Sequence, residues 1–479
     1  MRFERITFVT PPSMDALLYG DLKFEGVDSV TPPLNLLSLA AYISQFGFIP
    51  RIVDGYANRY STSELLEKVA ETRPDVVGIT CTTPLFLSAL EIARAIKKGF
   101  PHIKIIAGGP HITALPEDTL AHECFDVAVI GEGEITLRCV LEALADGNGP
   151  EHVNGIAYRD EGGIQRTAPR ERISDLDVLP LPAWNLLPSL GPPYRTSIVG
   201  TRKNKSTPII TSRGCPGRCT FCDTSTFGRK YRFFSSGYVL DMIEYLLKQY
   251  GIDDFLIYDD TFCTNRKRLV EICEGIISRG WKITWQCCAR IEQVNHDLLK
   301  LMKKAGCWEI EYGIESGDPH ILKLMHKGVN LKKAREVIKM THDLGIEARG
   351  NFIFGNIGEN RESLERTIQF IISTDLDYVQ QSFLTPYPGS EVYKIAHDYG
   401  EFDGDFRKMS NLTINFVPHG LSREELQRYS RRLFLKFYLR PRVMLRILKS
   451  INSLEGIRRL FASLKVFLRH VLKFSGARS

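Results

Sequence analysis

No run of about 18 uninterrupted apolar residues occurs in this 479-residue sequence, which excludes a membrane-spanning helix. The first residues, MRFERITFVTPP, contain no apolar signal region, and the eleven cysteines are too thinly spread for a secreted disulfide scaffold. A reducing cytoplasm is therefore expected. Acid is nearly missing from one end: Arg428 to Ser479 holds 14 Lys/Arg against the single acid Glu455, about +13, so a net charge of +6 leaves the rest near −7. That balance argues against a general nucleic-acid binder and points the tail at a localised anionic contact. What remains is an ordinary globular composition, 43% hydrophobic and 25% charged, long enough for two or three domains.

Over 1–146 short buried-strand patterns (ITFVT, PRIVD, DVVGIT, IKIIAGG, DVAVIG) alternate with helical ones over 34–45, 61–71, 86–98 and 134–144. This is the pattern of a doubly wound, Rossmann-like α/β sheet, whose ligands sit at the carboxyl edge where the glycines cluster. Residues 147–206, rich in Pro and Gly and holding one hairpin candidate, read as a linker. From 207 to 425 six strand patterns and five intervening helices suit a partial (β/α)6 barrel, with its chemistry at the C-terminal strand ends. Residues 426–479 form a basic helical tail.

Cys215-Pro-Gly-Arg-Cys219-Thr-Phe-Cys222 follows the first strand of this second unit. Three thiolates in one short loop can chelate a metal centre. Zinc commonly takes four ligands in paired short spacings, and no convincing second C-x-x-C or H-x-x-x-H partner occurs, whereas an iron–sulfur cluster with three protein ligands leaves one iron open. Asp259 and Asp260, ending FLIYDD, read either as polar ligand contacts or as first-turn acids of the next helix. Glu315 could pair with a lysine such as Lys323, and Arg290 could bind a carboxylate or form a surface ion pair. Cys263, Cys287, Cys288 and Cys307 read most simply as reduced core residues.

C-x3-C-x2-C after a strand, with an aromatic before the third Cys, resembles the radical S-adenosylmethionine superfamily. The resemblance implies a 4Fe-4S cluster on Cys215, Cys219 and Cys222. Its open iron is chelated by the amino and carboxylate groups of S-adenosylmethionine, which is cleaved to methionine and a 5′-deoxyadenosyl radical with an electron from a flavodoxin- or ferredoxin-type donor. It further implies that Phe221 borders the adenine, that Asp259 and Asp260 receive the methionine amino group, and that Glu315 and Ser316 lie near the ribose. Gly355 and Gly358 would let backbone approach the adenine, although Asn356 and Ile357 stand where Leu-Pro is more usual.

The first unit, ending in GGPHITALPE and VIGEGE, is similar to the cobalamin-binding domain of cobalamin-dependent radical enzymes, a group that includes methyltransferases and anaerobic magnesium-protoporphyrin ester cyclases. Contacts to cobalamin are expected from Thr82, Thr83, Gly108, Gly109, His111, Gly131, Glu132, Gly133 and Glu134. No D-x-H-x-x-G motif occurs, so no histidine is expected below cobalt. The resemblance implies methylation of an unactivated carbon, with oxidative cyclisation, carbon–carbon coupling or a vestigial cobalamin domain as alternatives. From Arg428 to Phe474 apolar residues such as Ile457, Leu460, Leu464 and Leu468 recur at helical spacing among cations. That stripe predicts a helix lying on a membrane's inner face or against a lipid-like substrate, the other possibility being that it packs back on the acidic body.

Overall fold

The computed structural model of the chain describes residues 4–12, 30–191, 193–194, 201–203 and 205–449. Five strands of the first unit are parallel: β1 (Arg5–Thr10), β2 (Ile49–Asp54), β3 (Val76–Thr80), β4 (Lys104–Gly108) and β5 (Val127–Val129). Their near-continuous apolar character suits strands covered by helices on both faces. A hairpin, β6 (Ile156–Asp160) and β7 (Gly163–Arg166), extends the sheet antiparallel to β5, giving the order β2-β1-β3-β4-β5-β6-β7. The first part of the expected linker is therefore sheet, because the apolar Ile156 and Ala157 find a partner edge on β5. Strand order reverses between β1 and β3, which opens a crevice at their carboxyl ends.

The second unit is an open half barrel. Its sheet runs β15-β14-β13-β12-β11-β8, all parallel: β8 (Ser206–Ile209), β11 (Asp254–Ile257), β12 (Thr284–Ala289), β13 (Cys307–Glu315), β14 (Glu347–Phe354) and β15 (Tyr378–Phe383). Between β8 and β11, a short antiparallel pair, β9 (Ser212–Arg213) and β10 (Arg232–Phe233), brackets the cysteine loop. The helices Ser236–Tyr250, Arg266–Ser278, His296–Lys304, Leu331–Asp343 and Arg361–Ile372 are N-capped by Ser235, Asn265, Asn295, Asn330 and Asn360. Each cap accepts a backbone N–H of the first turn and contributes about 1 kcal/mol, so every crossover starts where the sequence places a polar residue.

The first helix of the tail packs on the barrel. Helix Arg423–Tyr438 buries Leu426, Leu433 and Phe437 against the barrel, and Ser430 Oγ donates to Gln381. Arg432 pairs with Glu365 at 2.7 Å, and Arg442 bonds Asp375. The acidic body therefore takes up these cations. The stripe from Ile457 to Leu472 lies outside the described residues. Among those described, no helix is long and apolar enough to cross a membrane.

Candidate functional site

The carboxyl edges of the two sheets face one another across a cavity of about 800 Å³, lined by Thr10, Thr80 and Gly108 on one side and by Ile209, Tyr258 and Asp260 on the other. Phe8, Leu39, Leu137 and Phe227 give it apolar walls. A buried ion-pair network fixes the two edges together. Arg213, the last residue of β9, reaches Glu132 at 2.8 Å and Glu134 at 2.5 Å, while Arg232 on β10 reaches Glu132 at 2.7 Å. All four side chains are less than a tenth exposed. Burial alone would raise the Glu134 carboxyl, but the charge and hydrogen bonds of Arg213 override it and hold Glu134 below its ordinary value.

Cys215, Cys219 and Cys222 all line the same cavity, on the loop between β9 and β10. The loop closes tightly at Gly214, whose φ is +83° and where a Cβ would lie 2.5 Å from Lys230 O. Among the described residues no three His, Cys, Asp or Glu donors converge at a single metal-ion position. A 4Fe-4S cluster takes three thiolates on three of its irons, whereas zinc commonly takes four protein ligands, so three cysteines in one loop suit the cluster better. A hydrogen bond from the Cys222 thiol lowers Cys219 to about 6, against burial and with help from Lys327 and Arg290, and Cys222 rises in return.

Those two cations flank the loop. Lys327 Nζ lies 2.8 Å from Glu315 Oε1 and 5.9 Å from the centre of the Phe221 ring, and Arg290 Nη2 donates to Lys327 O at 2.9 Å. Glu315 thus pairs with Lys327 rather than Lys323, and does so at φ +72°, a conformation rare for a side-chain-bearing residue. Lys327 escaped the sequence reading because the turn that brings it to Glu315 follows the end of helix Pro319–Leu324.

Strand alternation separates the two aspartates. Asp260 lines the cavity, and burial followed by its neighbour Asp259 raises its carboxyl. Asp259 is buried and accepts from the backbone and hydroxyls of both Thr211 and Ser212. Its expected role with a methionine amino group is therefore corrected to that of a brace for the strand leading into the cysteine loop. Ser316 is likewise committed, to Thr367 and to the N–H of Asp318, and does not line the cavity. Gly355 and Gly358 have positive φ and lie outside the cavity, in a loop where buried Glu359 accepts the N–H groups of Gly355 and Asn356. Phe221 packs beside this loop, against the cluster that contains Leu384 and Phe416.

In the first unit Thr82, Gly108, Gly109, Gly131, Glu132, Gly133 and Glu134 line the cavity. The carboxylates of Glu132 and Glu134 are taken by arginines, which leaves backbone as what that loop offers a ligand. Thr83 and His111 do not line the cavity, which corrects the expectation for both. After the turn at Gly109 (φ +106°), the ring of His111 stacks on Phe86 at 4.1 Å, meets Phe406 edge-on at 4.9 Å, and contacts Thr83 Oγ1 at 3.3 Å. Burial lowers His111 to about 4. No histidine lines the cavity among the described residues. Cys263, Cys287 and Cys307 are buried core thiols as expected, whereas Cys288 is half-exposed on the concave barrel face.

Residues 209–371 match the Radical SAM superfamily and residues 25–141 match the B12 binding domain. The uncharacterized methyltransferase PH0819 of Pyrococcus horikoshii is 32% identical over 93% of this chain and 95% of its own. The anaerobic magnesium-protoporphyrin IX monomethyl ester cyclase of Rubrivivax gelatinosus is 30% identical over 82% of this chain and 71% of its own. In fold, the chain resembles the radical S-adenosylmethionine methyltransferase TsrM from Kitasatospora setae, solved with cobalamin and a [4Fe-4S] cluster, at TM-score 0.72 and 16% identity over 99% of this chain and 100% of that one. The residues present fit the groups these families hold. Three cavity-wall thiols flanked by cations suit a 4Fe-4S cluster with S-adenosylmethionine, and an edge of bare glycine backbone suits the broad ring of cobalamin. The cavity's size is at the upper end of the roughly 300–1,000 Å³ usual for small-molecule sites. The chain belongs to the cobalamin-binding radical S-adenosylmethionine enzymes.

Proposed function

We propose that this enzyme transfers a methyl group to an unactivated carbon of a hydrophobic, lipid-like or polycyclic substrate. The observation that carries the reading is the single apolar-walled cavity shared by the cysteine loop and the carboxyl edge of the first sheet. When bound, the cluster with S-adenosylmethionine supplies a carbon-centred radical and cobalamin supplies the methyl group, both toward one enclosed space. The chain's own residues bind and orient. The three thiolates hold the cluster, Asp260, Arg290 and Lys327 offer charge at its rim, and the Arg213–Glu132–Glu134–Arg232 network keeps the two cofactor edges in register. Enclosure limits the access of water to a radical.

The hydrophobic class is supported by the cavity walls and by relatives whose names specify apolar polycycles. These are the protoporphyrin ester cyclase and the hopanoid C-3 methylase of Methylococcus capsulatus, 28% identical over 78% of this chain. A flavodoxin- or ferredoxin-type protein is the proposed electron donor. The test is anaerobic turnover of the reconstituted enzyme with methyl-deuterated S-adenosylmethionine and candidate lipids or tetrapyrroles, read by mass spectrometry. Label in the substrate is the expected result. A substrate that loses hydrogens without gaining label would replace methylation with oxidative cyclisation, and absence of S-adenosylmethionine cleavage would reject both.

A further inference from the structure

Three groups close on one point of the cysteine loop. A Cβ added to Gly217 would lie 3.3 Å from Arg290 Nη1, 3.3 Å from Cys215 Sγ and 3.8 Å from Cys219 Sγ. The guanidinium and two of the three thiols therefore surround one atom's breadth of space, and the backbone N–H of Gly217 donates to Cys215 Sγ at 3.4 Å. Glycine serves here for room, since its φ lies outside the left-handed region. Arg290 immediately follows β12 at the carboxyl end of the strand, and its other terminal nitrogen, Nη2, is fixed by Lys327 O at 2.9 Å. The fold thus holds Nη1 toward the thiols.

The charge that Arg290 brings is not used up locally. Lys327, the other cation beside the loop, is answered by Glu315 at 2.8 Å, with both side chains about a tenth exposed. Arg290 has only Glu292, 3.6 Å away and 42% exposed, where water screens the contact. Asp223 and Asp260 share the cavity wall and make no ion pair with it among the described residues. A cluster on three thiolates becomes one charge more negative when it takes an electron, and its potential follows the net charge and the hydrogen bonds around its sulfurs. In an apolar-walled cavity, where fields are weakly screened, a neighbouring cation with charge to spare favours the reduced form.

We propose that Arg290 tunes the reduction potential of the cluster, raising it into the reach of a one-electron donor protein, and that Gly217 is the residue that lets the guanidinium close on the thiols. The proposal deepens the reading of Cys215, Cys219 and Cys222 as cluster ligands and rests on it. In the step concerned the donor protein loses one electron and the cluster gains it. No bond is made or broken and no proton moves, because the guanidinium stays charged throughout. Arg290 therefore acts on the supply of the electron, before any substrate reacts.

Redox titration followed by electron paramagnetic resonance, on the reconstituted protein without S-adenosylmethionine, reads this directly. Arg290→Met keeps most of the side chain's length and removes its charge. At the parent's midpoint potential its reduced-to-oxidised ratio should fall about ten-fold, equivalent to about 59 mV for a one-electron centre. Arg290→Lys, which keeps the charge, should recover most of the shift, and Gly217→Ala, which pushes the guanidinium back, should lie between the parent and Arg290→Met. A parent-like midpoint in Arg290→Met would overturn the proposal, and if S-adenosylmethionine binding is weakened at the same time, the residue serves the cosubstrate's carboxylate instead. Should Arg290→Met fail to hold iron, Gly217→Ala decides alone, and a parent-like midpoint there overturns the proposal. A parent protein that binds no iron would instead refute the cluster ligands themselves, so the two failures are distinct.

Discussion

Cys215, Cys219 and Cys222 stand on one cavity wall, and the charges of Lys327 and Arg290 favour the thiolate form of Cys219 that a cluster requires. Replacing Cys215, Cys219 or Cys222 singly with Ala should abolish 5′-deoxyadenosine formation. The triple variant should lose its iron, read by iron and sulfide analysis, and a full iron complement would contradict the ligand assignment. A second residue carries a pH signature. Burial holds the Glu359 carboxyl up at about 8 against a reference of 4.5, so between those values the folded protein keeps a proton that the unfolded chain has released. Stability contributed by this group therefore falls as pH rises through that window and is level outside it. Glu359→Gln keeps an acceptor for the N–H groups of Gly355 and Asn356 and cannot ionise. Urea midpoints of the variant relative to the parent should rise between pH 5 and 8, and parallel pH profiles would show that Glu359 is not buried as described.

At the scale of elements, the cysteine loop depends on the close return of its own backbone. A Cβ at Gly214 would strike Lys230 O at 2.5 Å, Gly228 O at 2.9 Å and Phe227 O at 3.2 Å, and the φ of +83° is itself unfavourable for other residues. Gly214→Ala should cost roughly 2–4 kcal/mol locally, through strain and displaced backbone, and lower cluster occupancy after reconstitution. Iron content equal to the parent's would contradict this. The loop motif was legible in the sequence because a metal site written in eight consecutive residues needs no tertiary information. The five half-barrel helices were legible for a similar reason, since each begins at a polar cap close to the expected position. Asp259 and Asp260 were harder. Only the alternation of β11 as it ends decides which of two adjacent acids faces the cavity, and Thr211 and Ser212 captured the first.

Across the whole molecule, what the sequence could not convey were contacts between distant segments. His111 looked like an edge residue until Phe86 and Phe406, the latter following β15 in the chain, enclosed it. Arg213, Arg232, Glu132 and Glu134 stand in three separate stretches, and their joint role is visible only when the two sheets meet. Because these four are buried, removing one arginine strands a carboxylate. Arg213→Met should destabilise by about 3–5 kcal/mol. It should also expose the 147–191 segment to limited proteolysis, whereas an unchanged proteolytic pattern would mean that the network does not hold the units together. The basic tail was ambiguous for a related reason. Its cations read equally well as membrane contacts or as partners for an acidic body, and the described part of it uses Glu365 and Asp375.

The central claim is that the two sheets present both cofactors to one cavity. Electron paramagnetic resonance of the reconstituted protein carrying cob(II)alamin tests it directly, by comparing microwave power saturation with the cluster oxidised and reduced. With both centres facing one space, cob(II)alamin should relax markedly faster when the cluster is reduced to its paramagnetic state, and the effect should vanish in the Cys215, Cys219 and Cys222 triple Ala variant. Identical saturation in both cluster states of the parent protein would place the cofactors apart and contradict the shared site.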